Sequence, residues 1–64
     1  MIVNGDEVTI SKACTLKEFL VQISCDFNRV AVEKNGRIIP KSNYDAEPVC
    51  NDDRLEIVTF VGGG

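Results

Sequence analysis

The chain has 64 residues, of which 44% are hydrophobic and 27% charged, with a formal net charge of −3 and no histidine. This composition is typical of one small globular domain, and the acidic balance with scattered Lys and Arg argues against a nucleic-acid binder, which needs a basic stripe. The lack of histidine removes the usual general base and the commonest metal ligand, so we expect neither a catalytic residue nor a metal site.

The first predicted unit is a β-hairpin. Residues 1–3 form a short β-like run, and Asn4-Gly5 is a strong hairpin signal because both residues tolerate a positive φ. Residues 7–10 then alternate polar and apolar side chains. We therefore predict a return strand with Val8 and Ile10 on one face.

One amphipathic helix follows. Residues 15–18 match a capping box, in which Thr15 caps the first turn and Glu18 reaches back to it. Apolar residues at i, i+3, i+4 and i+7 form the buried stripe of the helix: Leu16, Phe19, Leu20 and Ile23. Turn residues after Cys25 predict that the helix ends there.

A second hairpin is predicted from residues 30–33, a strand, and residues 34–36, a tight turn containing Asn-Gly. Residues 37–39 return as the second arm and stop at Pro40, which cannot continue a paired strand.

The next segment, residues 41–49, is irregular. We expect Tyr44 and Val49 to anchor it to the core, and residues 42–43 to begin a short helical turn.

A polar turn at residues 51–54 leads into a last strand over residues 55–61. The resulting order of elements predicts an α+β β-grasp domain, a mixed sheet of about five strands packed on one helix, with the last strand beside the first. The domain covers residues 1–61, and residues 62–64 form a flexible glycine tail. The predicted core comprises Val8, Ile10, Leu16, Phe19, Leu20, Ile23, Val30, Val32, Ile38, Leu55 and Ile57.

The glycine tail is the candidate reactive segment. Three glycines, Gly62, Gly63 and Gly64, follow Val61. A glycine tail has no side chains and can enter a narrow channel, and its α-carboxylate is ionised at neutral pH. The same three glycines are also compatible with an ordinary frayed terminus.

The cysteines and the membrane signals point to no further site. The chain has three cysteines without a CxxC pair, Cys14, Cys25 and Cys50, which argues against a disulfide framework or a four-ligand metal site. We expect these cysteines to act as small apolar residues that are buried or half-buried. No run of about 18 apolar residues occurs, and the first residues form a strand and not a signal peptide. We therefore expect a cytoplasmic protein that does not bind a membrane.

Several segments together resemble the ubiquitin-like sulfur-carrier proteins, and among them most closely the ThiS family. The resemblance depends on Asn4-Gly5, the helix at residues 15–23, and the stretch Val30-Ala31-Val32-Glu33 leading through Asn35-Gly36 to Ile38-Ile39-Pro40. It also includes residues 53–58 before the glycine tail. Two departures are Asn51-Asp52-Asp53, where the family often has Asp-Gly-Asp, and Tyr44, where Trp is common.

The resemblance implies that the chain is a co-substrate and not a catalyst. The Gly64 carboxylate would be adenylated with ATP in the site of a ThiF-like adenylyltransferase, and the chain itself would bind no cofactor. A sulfur donor, supplied by a cysteine desulfurase, would convert the adenylate into a thiocarboxylate that delivers sulfur to thiazole synthase. Gly62 and Gly63 would thread into the partner active sites, and the free chain would be a monomer.

The last strand predicts where partners dock. If Leu55 and Ile57 face the core, alternation places Val58 and Phe60 on the other face, next to Val61. An exposed apolar pair just before the tail often marks a partner site, so we predict docking through these three residues. Scattered exposed apolar residues without a role are the alternative. The nearby acidic residues are interpreted as solvated charges, with an acidic rim that meets a basic partner surface as the alternative: Asp52, Asp53 and Glu56.

Other functions share the same tail chemistry. The chain could be the small subunit of molybdopterin synthase or another ubiquitin-like sulfur carrier, although that subunit is usually longer. It could also be a ubiquitin-like protein modifier that forms isopeptide bonds, or an interaction domain with an inert terminus.

Overall fold

The computed structural model describes residues 1–60. In chain order its elements are β1 (Ile2–Val3), β2 (Asp6–Glu7), β3 (Cys14–Thr15), α1 (Leu16–Gln22), β4 (Val30–Lys34), β5 (Arg37–Ile39), a 3₁₀ helix (Lys41–Asn43), β6 (Pro48–Val49) and β7 (Arg54–Thr59).

Five of the strands form one mixed sheet in the order β2-β1-β7-β4-β5. The last strand, β7, is central: it runs parallel to β1 and antiparallel to β4. The predicted β-grasp fold, with the last strand beside the first, is confirmed. A separate two-stranded pairing of β3 with β6, which the sequence did not indicate, joins the start of the helix to the crossover segment.

The first hairpin turns where predicted but its return strand is shorter. Asn4 and Gly5 have φ angles of +51° and +87°, as a two-residue hairpin turn requires. The return strand is Asp6–Glu7 and not residues 7–10, because β1 offers only two residues for pairing.

Beyond this hairpin, the backbone of Ile10 has no neighbouring strand to pair with, and it forms hydrogen bonds to the side chain of Asn51 instead. The amide of Asn51 accepts a hydrogen bond from the Ile10 N–H and donates one to the Ile10 carbonyl, both at 2.9 Å. Ile10 is buried and Val8 is half-buried against the core, so both side chains face the core as predicted although neither lies in a strand.

The capping box at the helix start is confirmed. The Glu18 N–H donates to Thr15 Oγ1 at 3.2 Å, and the Thr15 N–H donates to Glu18 Oε1 at 2.8 Å. This hydrogen bonding from Thr15 holds the pKa of the Glu18 carboxyl below its usual range.

The helix ends at Gln22, earlier than predicted. Ser24 adopts a left-handed φ of +59°, and the Cys25 N–H donates to the Leu20 carbonyl at 2.8 Å. The Ser24 N–H donates to the Val21 carbonyl at 3.0 Å, which completes a Schellman cap. Because the chain leaves the helical path here, Ile23 is 42% exposed and its placement in the core is wrong.

The second hairpin is confirmed, but one of its residues lies on the opposite face of the sheet from the one predicted. Asn35 and Gly36 have φ angles of +53° and +83° and form the predicted turn. This turn pairs Val32 with Ile39 on the core face and Glu33 with Ile38 on the opposite face. Ile38 is therefore 76% exposed and was wrongly assigned to the core, whereas Ile39 is buried.

The crossover segment behaves as predicted. A 3₁₀ turn occupies Lys41–Asn43, and Tyr44 and Val49 are both buried anchors. Tyr44 Oη also donates a hydrogen bond to the Val30 carbonyl at 3.2 Å, which ties the crossover to the sheet.

The core lies between the helix and the inner face of the five-stranded sheet. Its largest fully buried side chains are Phe19, Leu16, Leu20, Leu55, Val30, Val32 and Val49. Met1 is also buried, which the sequence did not indicate, and Ile57 is only half-buried. Within residues 1–60 no helix is long and apolar enough to cross a membrane.

Candidate functional site

The last strand presents the candidate docking residues as the alternation predicted. Leu55 is fully buried and Ile57 packs partly on the core, so the intervening side chains point away from it. Val58 is 60% exposed and Phe60 is 54% exposed. The exposed apolar pair is thus confirmed, while its docking role stays a prediction.

The end of β7 is held on both sides. Asn4 lies one residue beyond the end of β1, and its side chain continues the pairing: Ile57 N–H donates to Asn4 Oδ1 at 2.6 Å, and Asn4 Nδ2 donates to the Ile57 carbonyl at 3.1 Å. On the other side, the Phe60 N–H donates to the Arg29 carbonyl at 2.7 Å. Sequence reasoning identified Asn4 only as a turn residue and missed this second role.

Neighbouring strands extend the exposed surface of β7. Pairing of β4 with β7 places Ala31 opposite Val58 and Glu33 opposite Glu56, and pairing with β5 places Ile38 opposite Glu33. We call this surface the outer face and define it by seven residues: Ala31, Glu33, Ile38, Arg54, Glu56, Val58 and Phe60. A shallow hollow of about 100 Å³ lies in it, between Ile38 on one side and Val58 on the other.

The outer face carries charges of both signs among its apolar side chains. Glu33 and Glu56 are cross-strand partners and both are exposed. The ion pairs formed within residues 1–60 involve other acidic residues: Glu7, Asp26, Asp45 and Glu47. The two carboxylates of the outer face therefore form no ion pair in the described part of the chain, although Arg54 lies on the same face of β7 two residues before Glu56.

A polar cluster fixes the start of β7 against the second hairpin. Asp53 accepts hydrogen bonds from Asn35 Nδ2 and from the Cys50 N–H, both at 2.9 Å, and Asn35 in turn accepts one from the Arg54 N–H at 2.9 Å. Burial by itself would raise the pKa of Asp53, but these hydrogen bonds and the nearby Lys34 outweigh it and lower the pKa. Asp53 is therefore a structural residue and not only a solvated charge.

The cysteines form no site in the described structure. Cys14 and Cys25 are half-buried, Cys50 is exposed, and all three are free thiols. Burial raises the pKa of the Cys14 thiol, with a smaller contribution from the Glu18 carboxylate, which makes it less reactive. Residues 1–60 contain no cluster of three or more Cys, Asp or Glu side chains placed to hold a metal ion.

The remaining predicted site residues, Val61, Gly62, Gly63 and Gly64, lie outside the described residues.

A mixed five-stranded sheet wrapped on one helix, with the last strand at its centre, defines a ubiquitin-like β-grasp protein. Solved structures agree. The crystal structure of the thiamine biosynthesis protein ThiS from Geobacter metallireducens superposes with a TM-score of 0.83 and 30% sequence identity, covering 98% of this chain and 96% of that one. A solution structure of a thiamine biosynthesis protein from the same organism gives a TM-score of 0.77 at 30% identity, covering 98% and 85% of the two chains.

Sequence comparisons identify the family. The model of the ThiS family matches residues 1–64, and the sulfur carrier protein ThiS of Bacillus subtilis is 39% identical over 62 residues, which cover 95% of this chain and 94% of that protein. The chain belongs to the ThiS family. It is also 42% identical over 64 residues to a thiazole synthase of Paramagnetospirillum magneticum. The match covers all of this chain but only 20% of the length of that protein.

Proposed function

We propose that the chain is a sulfur carrier of thiamine biosynthesis and that the α-carboxylate of Gly64 is the group that carries sulfur. The observation that carries this proposal is the family match over the whole chain, residues 1–64. The similarity to the Bacillus subtilis sulfur carrier, which extends over nearly the full length of both proteins, supports it.

The chemistry of a carboxylate dictates two steps. A carboxylate oxygen is a poor leaving group, so sulfur cannot replace it directly. Attack of the Gly64 carboxylate on the α-phosphate of ATP releases pyrophosphate and forms an acyl-adenylate. A persulfide of the sulfur donor then displaces AMP through its terminal sulfur and forms an acyl disulfide. A thiolate that attacks the donor's sulfur cleaves the S–S bond, ends in a disulfide with the donor and releases the terminal thiocarboxylate.

The catalytic groups for these steps belong to partners. The chain has no histidine, and its three cysteines are free thiols. We therefore propose a ThiF-like adenylyltransferase that holds ATP, a sulfur donor supplied by a cysteine desulfurase, and a thiazole synthase that accepts the sulfur. The chain would work in the cytoplasm as a monomer, without a cofactor of its own.

The similarity to thiazole synthases supports the choice of acceptor. Those of Paramagnetospirillum magneticum and Magnetococcus marinus each contain a stretch similar to nearly all of this chain, at 42% and 33% identity. In these proteins a stretch that resembles the carrier is part of the synthase polypeptide. We therefore propose a thiazole synthase as the acceptor of the sulfur that this chain carries.

The docking surface would be the end of β7. Val58 and Phe60 are exposed and stand on a strand that is hydrogen-bonded on both sides, so their positions are fixed before a partner arrives. In this proposal Val61 continues the contact, and Gly62 and Gly63 carry the carboxylate into the partner's active site.

Intact-mass spectrometry tests the proposal. The chain is incubated with ATP, the adenylyltransferase and a sulfur donor, and we expect a mass gain equal to the difference between sulfur and oxygen. A variant that lacks Gly64 is the control and should gain nothing. Wild-type chain that keeps its mass would reject the sulfur-carrier function, and conjugates to lysine side chains would identify a protein modifier instead.

Transfer to the acceptor is tested separately. Thiocarboxylate chain mixed with thiazole synthase should lose its added sulfur as the thiazole product forms. If only a molybdopterin precursor discharges it, the chain is a carrier for that pathway.

A further inference from the structure

Both hairpin turns contain an asparagine followed by glycine, a sequence prone to spontaneous loss of the side-chain amide. The glycine N–H loses its proton, and the nitrogen, which no neighbouring side chain shields, bonds to the asparagine Cγ. The Cγ–Nδ2 bond breaks, Nδ2 leaves as ammonia with the released proton, and a cyclic imide remains. Water then opens the imide to aspartate or to isoaspartate, in which the main chain runs through the side-chain carboxyl. Asn4-Gly5 and Asn35-Gly36 are exposed, so water reaches both.

Hydrogen bonds hold each side-chain amide in place. Asn4 is bonded to a single residue of β7: the Ile57 N–H donates to Oδ1 at 2.6 Å, and Nδ2 donates to the Ile57 carbonyl at 3.1 Å. Asn35 Oδ1 accepts from the Arg54 N–H and Asn35 Nδ2 donates to Asp53 Oδ1, both at 2.9 Å. Because the reaction expels Nδ2, its hydrogen bond must break first. Each site can therefore react only when its turn opens locally.

The amide of Asn35 is held more strongly than the amide of Asn4. Asn35 Nδ2 donates to a carboxylate that the Cys50 N–H also fixes, and such charge-assisted hydrogen bonds are the stronger kind. Asn4 Nδ2 donates to a neutral carbonyl, and Asp6, two residues later, is not a hydrogen-bond partner of Asn4. A new carboxylate at residue 35 would also lie beside that of Asp53, and two like charges so close disfavour the product.

The two hairpins differ in the same direction. β1 and β2, which flank Asn4, are two residues long, whereas β4 and β5, which flank Asn35, have five and three residues. A shorter hairpin has fewer hydrogen bonds to break and opens more readily. We propose that Asn4 is a site of spontaneous deamidation, which proceeds whenever the first hairpin opens, and that Asn35 is protected from the same reaction.

The product at residue 4 would weaken the end of β7. Aspartate cannot donate to the Ile57 carbonyl and would place a second oxygen against it. Isoaspartate would lengthen the main chain in the turn and disturb the pairing of β1 with β2. Either product loosens the strand that leads to the glycine tail. The reaction needs no partner protein, so it is independent of the sulfur-carrier function.

Ageing of the purified chain tests the proposal. The wild-type chain is kept at physiological temperature in mildly alkaline buffer, with and without denaturing urea. After proteolytic digestion, mass spectrometry measures asparagine, aspartate and isoaspartate at each position. Three asparagines followed by larger residues are internal controls: Asn28, Asn43 and Asn51. In a second measurement, Asn4→Asp reproduces one product, and its urea midpoint is compared with that of Asn28→Asp.

In urea, the two Asn-Gly sites should react at rates within about twofold of each other, because both lack their hydrogen bonds. In the folded chain we expect Asn4 to react at least about tenfold more slowly than in urea, and Asn35 at least about fivefold more slowly than Asn4. Asn4→Asp should lower the urea midpoint and Asn28→Asp should not.

Three results would overturn the proposal. Equal rates at Asn4 in the folded and the unfolded chain would show that its hydrogen bonds do not control the reaction. A folded chain in which Asn35 reacts as fast as Asn4, or in which Asn4 is as inert as the control asparagines, would remove Asn4 as the site. An Asn4→Asp variant as stable as Asn28→Asp would show that the product leaves β7 unchanged.

Discussion

The two hydrogen bonds from the Asn4 side chain to Ile57 make a sharp test of how β7 is held. Both bonds lie one residue beyond the last paired residue of β1, at 2.6 and 3.1 Å. At about 0.5–1.5 kcal/mol net for each, their loss should cost about 1–3 kcal/mol. This is a large part of the roughly 3–10 kcal/mol expected for a 64-residue domain.

Two substitutions at Asn4 separate the loss of its side-chain hydrogen bonds from the cost of its backbone conformation. Its φ of +51° lies in the left-handed region, where alanine costs about 1–2 kcal/mol but glycine does not. Asn4→Gly therefore reports mainly on the lost hydrogen bonds, at about 1–3 kcal/mol. Asn4→Ala adds the backbone cost and should destabilise by about 2–5 kcal/mol in total.

Urea unfolding followed by circular dichroism measures both variants. The control is Asn28→Ala, because the Asn28 side chain makes no hydrogen bond within residues 1–60 and the residue has no positive φ. We expect the control to stay within about 0.5 kcal/mol of wild type. Asn4→Gly with a wild-type urea midpoint would refute the idea that the side chain of Asn4 acts as an extra strand residue for β7.

Other features of the structure make further predictions. Ser24→Gly should raise the free energy of unfolding by about 1 kcal/mol, because glycine adopts the left-handed C′ position without strain; a lower melting temperature would contradict the cap geometry. The folded-state pKa of Asp53 is lowered from its ordinary value of 3.8, so its ionised form stabilises the fold above that pH and this contribution is lost as the pH falls through the folded-state pKa. Asp53→Asn should accordingly flatten the acid limb of a stability-against-pH curve, and an unchanged limb would count against the cluster. Phe60→Ala should weaken adenylyltransferase binding at least about tenfold with the fold intact, while Val21→Ala, an exposed apolar residue on the helix, should leave affinity unchanged; equal loss in both would remove the case for docking at β7.

Local signals in the sequence determine most of the fold. The capping box at residues 15–18 and the two Asn-Gly turns each depend on residues that are neighbours in the chain, and the structure confirms all three. The alternation in β7 likewise predicted that Val58 and Phe60 are exposed. Such features need no knowledge of which strands pair.

The errors occur where the facing of a residue depends on distant partners. Ile38 and Ile39 are adjacent apolar residues, and only the register set by the Asn35-Gly36 turn decides that the second one faces the core. Ile23 fits the helical stripe, but the helix ends at Gln22 because Ser24 adopts a left-handed conformation. The pairing of β3 with β6 joins two-residue strands that have no periodicity of their own.

The same dependence hides the outer face from sequence reasoning. Glu33, Ile38 and Glu56 lie on three different strands, and nothing in their spacing along the chain shows that they are cross-strand neighbours in the sheet. In the folded sheet, a strongly exposed isoleucine and a carboxylate opposite another carboxylate are neighbours. Sequences tend to depart from local rules of stability at functional sites. Two such departures meet on the outer face, and only the pairing of β5, β4 and β7 brings them together.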